Sequence, residues 1–279
     1  MNNISLGRYI PYDTIIHKLD PRTKIVAMIM LLVCVFLPIG YIGYAVLLTL
    51  VFALLKVSKV KISSIYKSLK PMWFMMIFIL IINMFLIQEG EVLFVLFNRP
   101  FYVKAFTQTL LIIIRLVLMI SVTSVLTATT KPLDLTYGLE YFMSPLKVIK
   151  FPAHEIAMTI SIALRFIPTI LEETQKIMKA QASRGVDLQE GKLKEKISAI
   201  ISLIIPLFIS AFQRSEELAN AMEARGYNPS AKRTRYRTLK FGLKDLASLI
   251  TSLVVLGICI AFSQFPNLLE QLLNWNNLF

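Results

Sequence analysis

Long apolar runs, separated by short polar or Pro/Gly breaks, set the pattern of this chain. Five of them predict membrane-spanning helices: residues 25–39; 41–57, after the Pro38-Ile39-Gly40 breaker; 72–87, opening just past Pro71; about 109–127, with a start as early as Tyr102; and 246–262. Proline is favoured in the first turn of a helix, where its missing N–H costs nothing. A perpendicular span needs ~20 residues. Several of these runs fall short, and flanking lysines that extend to the interface make up the difference.

Residues 131–244 break the pattern. Two more apolar runs, 156–171 and 197–212, are each followed by a charged stretch. A hairpin through the membrane would carry Lys176, Lys179, Arg184, Lys192, Lys194 and Lys196 to the far side, against the rule that basic loops stay inside. The pattern therefore predicts two long helices, apolar in the first half and charged in the second. Pro168 and Pro206 sit mid-helix, where proline bends the axis. Such helices lie along or just beneath the cytoplasmic face, and their apolar halves call for a partner. The expected organisation is an all-α membrane protein of about five spans. Residues 1–130 hold the first four, 131–244 a cytoplasmic coupling region, and 245–279 the last span and an outer tail.

Composition agrees with this reading. Of 279 residues, 56% are apolar and 17% charged, with a mean hydropathy of +0.66. Soluble domains carry about 25% charged residues. Residues 1–24 are polar and resemble no signal peptide, so targeting falls to the spans. Twenty-seven of the thirty Lys and Arg lie before residue 25, between 56 and 70, or in 131–244. Only Arg99 and Lys104 lie on the opposite side, and Arg115 is inside a span. This asymmetry puts the N-terminus and 131–244 in the cytoplasm and the C-terminus outside. The net charge of +13 then suits anionic lipid or acidic partner surfaces. No nucleic-acid motif accompanies it.

Little in the chain suggests catalysis. Cys34 and Cys259 sit singly in apolar runs, and His17 and His154 lack metal-ligand spacing, so neither a disulfide framework, a metal site nor a cofactor is expected. The nearest approach to a phosphate-binding loop, Gly185 with Gly191-Lys192-Leu193, has one residue too many and leucine where a hydroxyl belongs. Clustered carboxylates and Ser/His/Asp sets are missing from the spans. An alternative to a coupling protein is a permease subunit that binds substrate itself. It would need polar groups at mid-membrane, and the spans offer only Arg115, Asn83, Ser121, Thr123 and Ser124. Arg115 has no acidic residue within any span, so it bonds carbonyls, meets a partner's carboxylate, or snorkels.

The two long helices end alike. The first closes on Ser183-Arg184-Gly185 and the second on Ala224-Arg225-Gly226, before Tyr227-Asn228-Pro229. Arg-Gly at a helix end is ordinary capping, with glycine closing the carbonyls and a cation meeting the negative dipole end. Two such ends in one cytoplasmic region also suit docking, because a guanidinium pairs with carboxylates in fixed geometry. The registers differ upstream: Glu172-Glu173 and Glu216-Glu217 stand at different distances from their arginines.

These ends resemble the coupling-helix motifs of the transmembrane (T) component of energy-coupling factor importers. So do Ala163-Leu164-Arg165-Phe166-Ile167-Pro168 and the opening run Gly7-Arg8-Tyr9-Ile10-Pro11-Tyr12-Asp13-Thr14-Ile15-Ile16-His17-Lys18-Leu19-Asp20-Pro21-Arg22-Thr23-Lys24. The resemblance covers nearly the whole chain. It implies that Arg184 and Arg225 each enter a groove on one of two ABC-type ATPases. It also implies a membrane-embedded, substrate-binding S component for vitamins or metal ions, in a bacterial cell membrane. Ser183 stands where the family usually has alanine, and it is equally small.

Milder readings cover the rest. Asp20 caps the first span with Pro21 in its first position. Met72, Met75 and Met76 pack in the bilayer, whereas Met178 and Met222 suit changeable partners. Residues 266–279 form an interfacial helix or anchor outside.

Overall fold

The computed structural model describes residues 9–87, 92–96, 99–149, 151–185, 193–228 and 241–264. Gly7, Arg8, Gly191, Lys192, Pro229 and the tail 266–279, which figure in the readings above, lie outside the described residues. The described chain is nearly all helical. In order come α1 (Pro21–Phe36), α2 (Gly40–Ser58), α3 (Ile62–Leu69), α4 (Trp73–Leu86), α5 (Val103–Thr129), α6 (Pro132–Met143), α7 (Ala153–Ser183), α8 (Leu193–Ala224) and α9 (Leu243–Gln264). One antiparallel hairpin, β1 (Val92–Leu96) with β2 (Arg99–Tyr102), joins α4 to α5. The all-α expectation did not include this hairpin. Pairing with each other satisfies the backbone groups of a turn between two long helices.

Among the described residues, six helical stretches are long and apolar enough to cross a membrane: Gly40–Ser58, Ile62–Leu86, Val103–Thr129, Ala153–Ser183, Lys194–Ala224 and Leu243–Gln264. This is a multi-pass membrane protein. Length and composition alone separate the helices differently from the charge pattern: α7 and α8 qualify, while α1, with 16 residues, is too short for that set. The third span also begins earlier than expected. A 3-10 turn over Lys70–Met72 joins α3 to α4, so the helical stretch starts at Ile62 rather than near Pro71. α6 was not foreseen, although Pro132 opens it and Asp134 sits in its first turn, both ordinary helix-start signals.

Two compact units divide the chain, one from residues 139–238 and one from 7–138 with 239–279. In the second unit α5 is central, contacting α1, α2, α3 and α4, while α9 packs on α1 and α2. Its core gathers Leu31, Cys34 and Val35 of α1, Tyr44, Leu47 and Val51 of α2, Leu118 and Val122 of α5, and Cys259 of α9. Both cysteines are buried and free.

A polar knot ties one end of this unit. Asp20 caps α1, its carboxylate accepting from Arg22 N–H at 2.9 Å, as its sequence position predicts. Asp245 at the start of α9 accepts from Asp20 N–H at 2.7 Å and from Gly242 N–H at 2.8 Å. The buried Lys24 ammonium donates to the carbonyls of His17 (3.1 Å) and Thr129 (2.9 Å). Buried polar groups must be paired or they destabilise the fold, and here pairing fastens α1 to α5 and α9.

Candidate functional site

The unit of residues 139–238 is built on α7 packed against α8. Both helices run uninterrupted through their prolines, Pro168 and Pro206. A polar clamp joins them midway. The Glu173 carboxylate accepts from Ser210 Oγ and, at 3.0 Å, from Arg214 Nη2, and the guanidinium lies 5.6 Å from the centre of the Phe166 ring. Removing one partner of such a pair strands the other charge, so the clamp fixes which faces of α7 and α8 meet. Ile200, Ile201, Ile204, Phe208 and Phe212 of α8 are exposed, an apolar stripe left uncovered among the described residues. Phe166 and Arg165 belong to the run singled out in sequence. Glu173, Ser210 and Arg214 were missed as a set because they come from two helices.

At the far ends of these helices stand the two Arg-Gly pairs. α8 closes in a Schellman motif: Gly226 N–H donates to Glu223 O at 2.8 Å, and Tyr227 N–H to Met222 O at 3.0 Å. Gly226 has φ +74°, the left-handed region that glycine enters without strain. α7 also ends on a left-handed glycine, Gly185 at φ +82°, whose N–H donates to Ala182 O at 3.0 Å. The capping role of both glycines is therefore real, and it aims the preceding residue. Ser183, Arg184, Ala224 and Arg225 are all exposed. Ser183 Oγ donates back to Lys179 O at 3.1 Å, which hides its one extra polar atom. Neither guanidinium has a hydrogen bond or ion pair among the described residues, and neither glycine has an atom within 4 Å of where a Cβ would stand. Two cations thus end two helices on open ground, held by backbone geometry and free to pair.

Arg115 lies elsewhere, on α5. Its Nη2 donates to Tyr44 Oη at 2.6 Å, and Tyr44 donates on to Leu37 O at 3.1 Å. Arg115 Nε is buried with no partner among the described residues. Of the options left open by sequence, the main bond goes to a tyrosine hydroxyl that none of them named.

The two histidines serve local structure. His154, in the first turn of α7, pairs with Glu140 of α6 at 3.0 Å. His17 Nε2 donates to Ile10 O at 3.0 Å, and its Nδ1 lies 2.6 Å from the Thr14 hydroxyl. Burial pushes its pKa below the ordinary 6.5. No group of three or more His, Cys, Asp or Glu among the described residues could hold a metal.

A family model described as CbiQ, cobalt transport protein, matches residues 13–236. Curated relatives bear the name energy-coupling factor transporter transmembrane protein EcfT. The chain is 42% identical to one from Bacillus subtilis (strain 168), over 94% of this chain and 98% of that protein. It is 43% identical to one from Ruminiclostridium cellulolyticum, over 97% and 98%, and 41% identical to one from Lactococcus lactis subsp. cremoris, over 93% and 97%.

Proposed function

Since the chain belongs to the CbiQ family and is the transmembrane component of an energy-coupling factor transporter, we propose that Arg184 and Arg225 are the points at which ATP-driven motion enters it. Each arginine docks into an acidic groove on one of two ABC-type ATPases. A membrane-embedded S component binds the cargo, a vitamin or a metal ion, and the exposed stripe of α8 with the facing part of α7 carries the motion to it. ATP hydrolysis belongs to the partners. A permease subunit that binds its own substrate is not favoured.

The observation that carries this reading is the pair of exposed, unpaired guanidiniums on matched Gly-capped helix ends. A cation serving only its own helix end would contribute a few tenths to ~1 kcal/mol through the dipole. A charge-assisted bond to a carboxylate contributes ~1.5–3 kcal/mol, or roughly tenfold to more than a hundredfold in affinity. Co-purification of the ATPases with Arg184→Ala, Arg225→Ala and the double variant distinguishes the two. One loss should weaken the complex, and both should release the ATPases. Lysine should rescue poorly, lacking the bidentate fork. Full ATPase recovery with the double variant refutes docking by either residue.

The charge pattern supports five spans, α1 included, with α7 and α8 on the cytoplasmic side. Single cysteines on a background lacking Cys34 and Cys259 test this. A cysteine at Asn277 should react from outside the cell and one at Lys192 only from inside. External labelling at Lys192 would sink the cytoplasmic position of the coupling helices.

A further inference from the structure

Proline inside a helix carries no N–H, so the carbonyl four residues earlier loses its usual donor. Pro206 does this to Ser202 midway along α8. The freed carbonyl finds another donor. Gln181 of α7 reaches across and donates to it from Nε2 at 3.3 Å. Of the two ends of a carboxamide only the nitrogen can donate, so the acceptor itself fixes which way the side chain points. Pro168 frees the Leu164 carbonyl of α7 in the same way, and among the described residues no side chain donates to it. A proline within a helix therefore does not recruit a donor by itself. The bond at Ser202 depends on where Gln181 stands.

Gln181 stands at the functional end of α7. It lies in the last turn, three residues before Arg184, and its main-chain carbonyl accepts from Arg184 N–H at 3.0 Å. One residue thus holds α8 with its side chain and Arg184 with its backbone. A second polar tie between the helices, Glu173 to Ser210 and Arg214, lies eight residues back along α7, about 12 Å at ~1.5 Å per residue. Eight residues also separate Ser202 from Ser210, so both ties follow one antiparallel register. Helix ends fray, and the tie at Gln181 extends the register of the clamp to the end that carries the cation. A side chain held in direction before docking loses less freedom when it docks.

We infer that Gln181 is a positioning residue for Arg184, its carboxamide replacing the hydrogen bond that Pro206 denies Ser202 and so fastening the last turn of α7 to α8. Pro206 and Gln181 act as a pair. Without the break, α8 would bond its own carbonyl and offer α7 nothing to hold. The effect is confined to one arginine, because Arg225 closes α8 about 34 Å beyond Ser202 along the helix. The role toward the ATPases rests on the function proposed above; the bond to Ser202 does not.

The test uses the full chain in bilayer discs with its two ATPases. Gln181→Met keeps the side-chain length and loses the donor. It should weaken ATPase binding by roughly twofold to tenfold, as loss of one neutral hydrogen bond does. The loss should recur in the Arg225→Ala background and vanish in the Arg184→Ala background, a distinction that general unfolding of the two helices would not make. Pro206→Ala gives Ser202 a donor from its own helix, so Gln181→Met should then have little further effect. A spin label at Ala182→Cys, on a chain lacking Cys34 and Cys259, reads the tie without ATPases: Gln181→Met should loosen it, and Pro206→Ala should remove that sensitivity. Unchanged label mobility in Gln181→Met overturns the tie. Unchanged binding, where Arg184→Ala does weaken it, overturns the positioning role, and so does an equal loss in the Arg184→Ala background. A loss that persists with Pro206→Ala shows that Gln181 acts through something other than the Ser202 carbonyl, which also overturns the inference. If Arg184→Ala leaves binding intact while Gln181→Met loosens the label, the docking reading fails and the tie stands.

Discussion

Replacing Gly226 separates the cap from the charge it presents. Gly226 has φ +74° and closes α8 through bonds of 2.8 and 3.0 Å to Glu223 O and Met222 O, the second from Tyr227 N–H. An L-residue forced into that region costs about 1–2 kcal/mol. Among the described residues nothing lies within 4 Å of a Cβ there, so Gly226→Ala brings strain without a clash with them. The helix end should relieve the strain by fraying, and Arg225 then loses its fixed direction. Re-ordering it on docking returns the same 1–2 kcal/mol, a factor of roughly 5–30 in ATPase affinity. Asn tolerates the left-handed region, so Gly226→Asn should bind nearer to wild type despite its greater bulk. The assay is ATPase binding to the purified membrane protein in bilayer discs, run as a cycle with Arg225→Ala. In the Arg225→Ala background, Gly226→Ala should have little further effect, because the group being aimed is gone. If Asn binds worse than Ala, bulk at the interface governs, not backbone strain. Additive losses across the cycle would refute the idea that the cap acts through Arg225.

Two further predictions concern the unit of residues 7–138 and 239–279. Tyr44→Phe should destabilise the protein more than Arg115→Leu does. The first strands a guanidinium within a span, roughly 1–2 kcal/mol, while the second removes the charge and its unmatched Nε and leaves Tyr44 bonded to Leu37 O. Thermal unfolding in detergent measures this, and the opposite order rules out Tyr44 as the main partner of Arg115. His17 should make the protein less stable in mild acid: burial lowers its folded pKa, so its contribution is intact above the ordinary 6.5 and declines as the pH falls below that value. Unfolding of the wild type and His17→Gln between pH 7.5 and roughly 5 should show the two converging on the acid side; a constant difference contradicts the assignment.

Much of the architecture was legible in the chain because its causes are local. An apolar run long enough to cross a membrane, a proline in a first turn and an aspartate before it act within a few residues. α2, α5, α9 and the Asp20 cap therefore lie where the pattern put them. The Arg-Gly ends were legible for the same reason: a Schellman cap is made by bonds spanning five residues. The bonds that hold the helices to one another were not legible. Arg115 meets Tyr44 across 71 positions, Asp20 meets Asp245 across 225, and Arg214 meets Glu173 across 41. No short-range spacing encodes these pairs; each exists because packing brings two helices side by side and a buried polar group then needs a partner. The same holds for the Thr130 hydroxyl, unremarkable in the sequence but buried without a partner among the described residues. Sequence alone determined where most of the helices run, α6 and the start of the third span excepted, and where two of them end in a cation; tertiary structure decided which polar groups are matched, because matching depends on neighbours that only folding supplies.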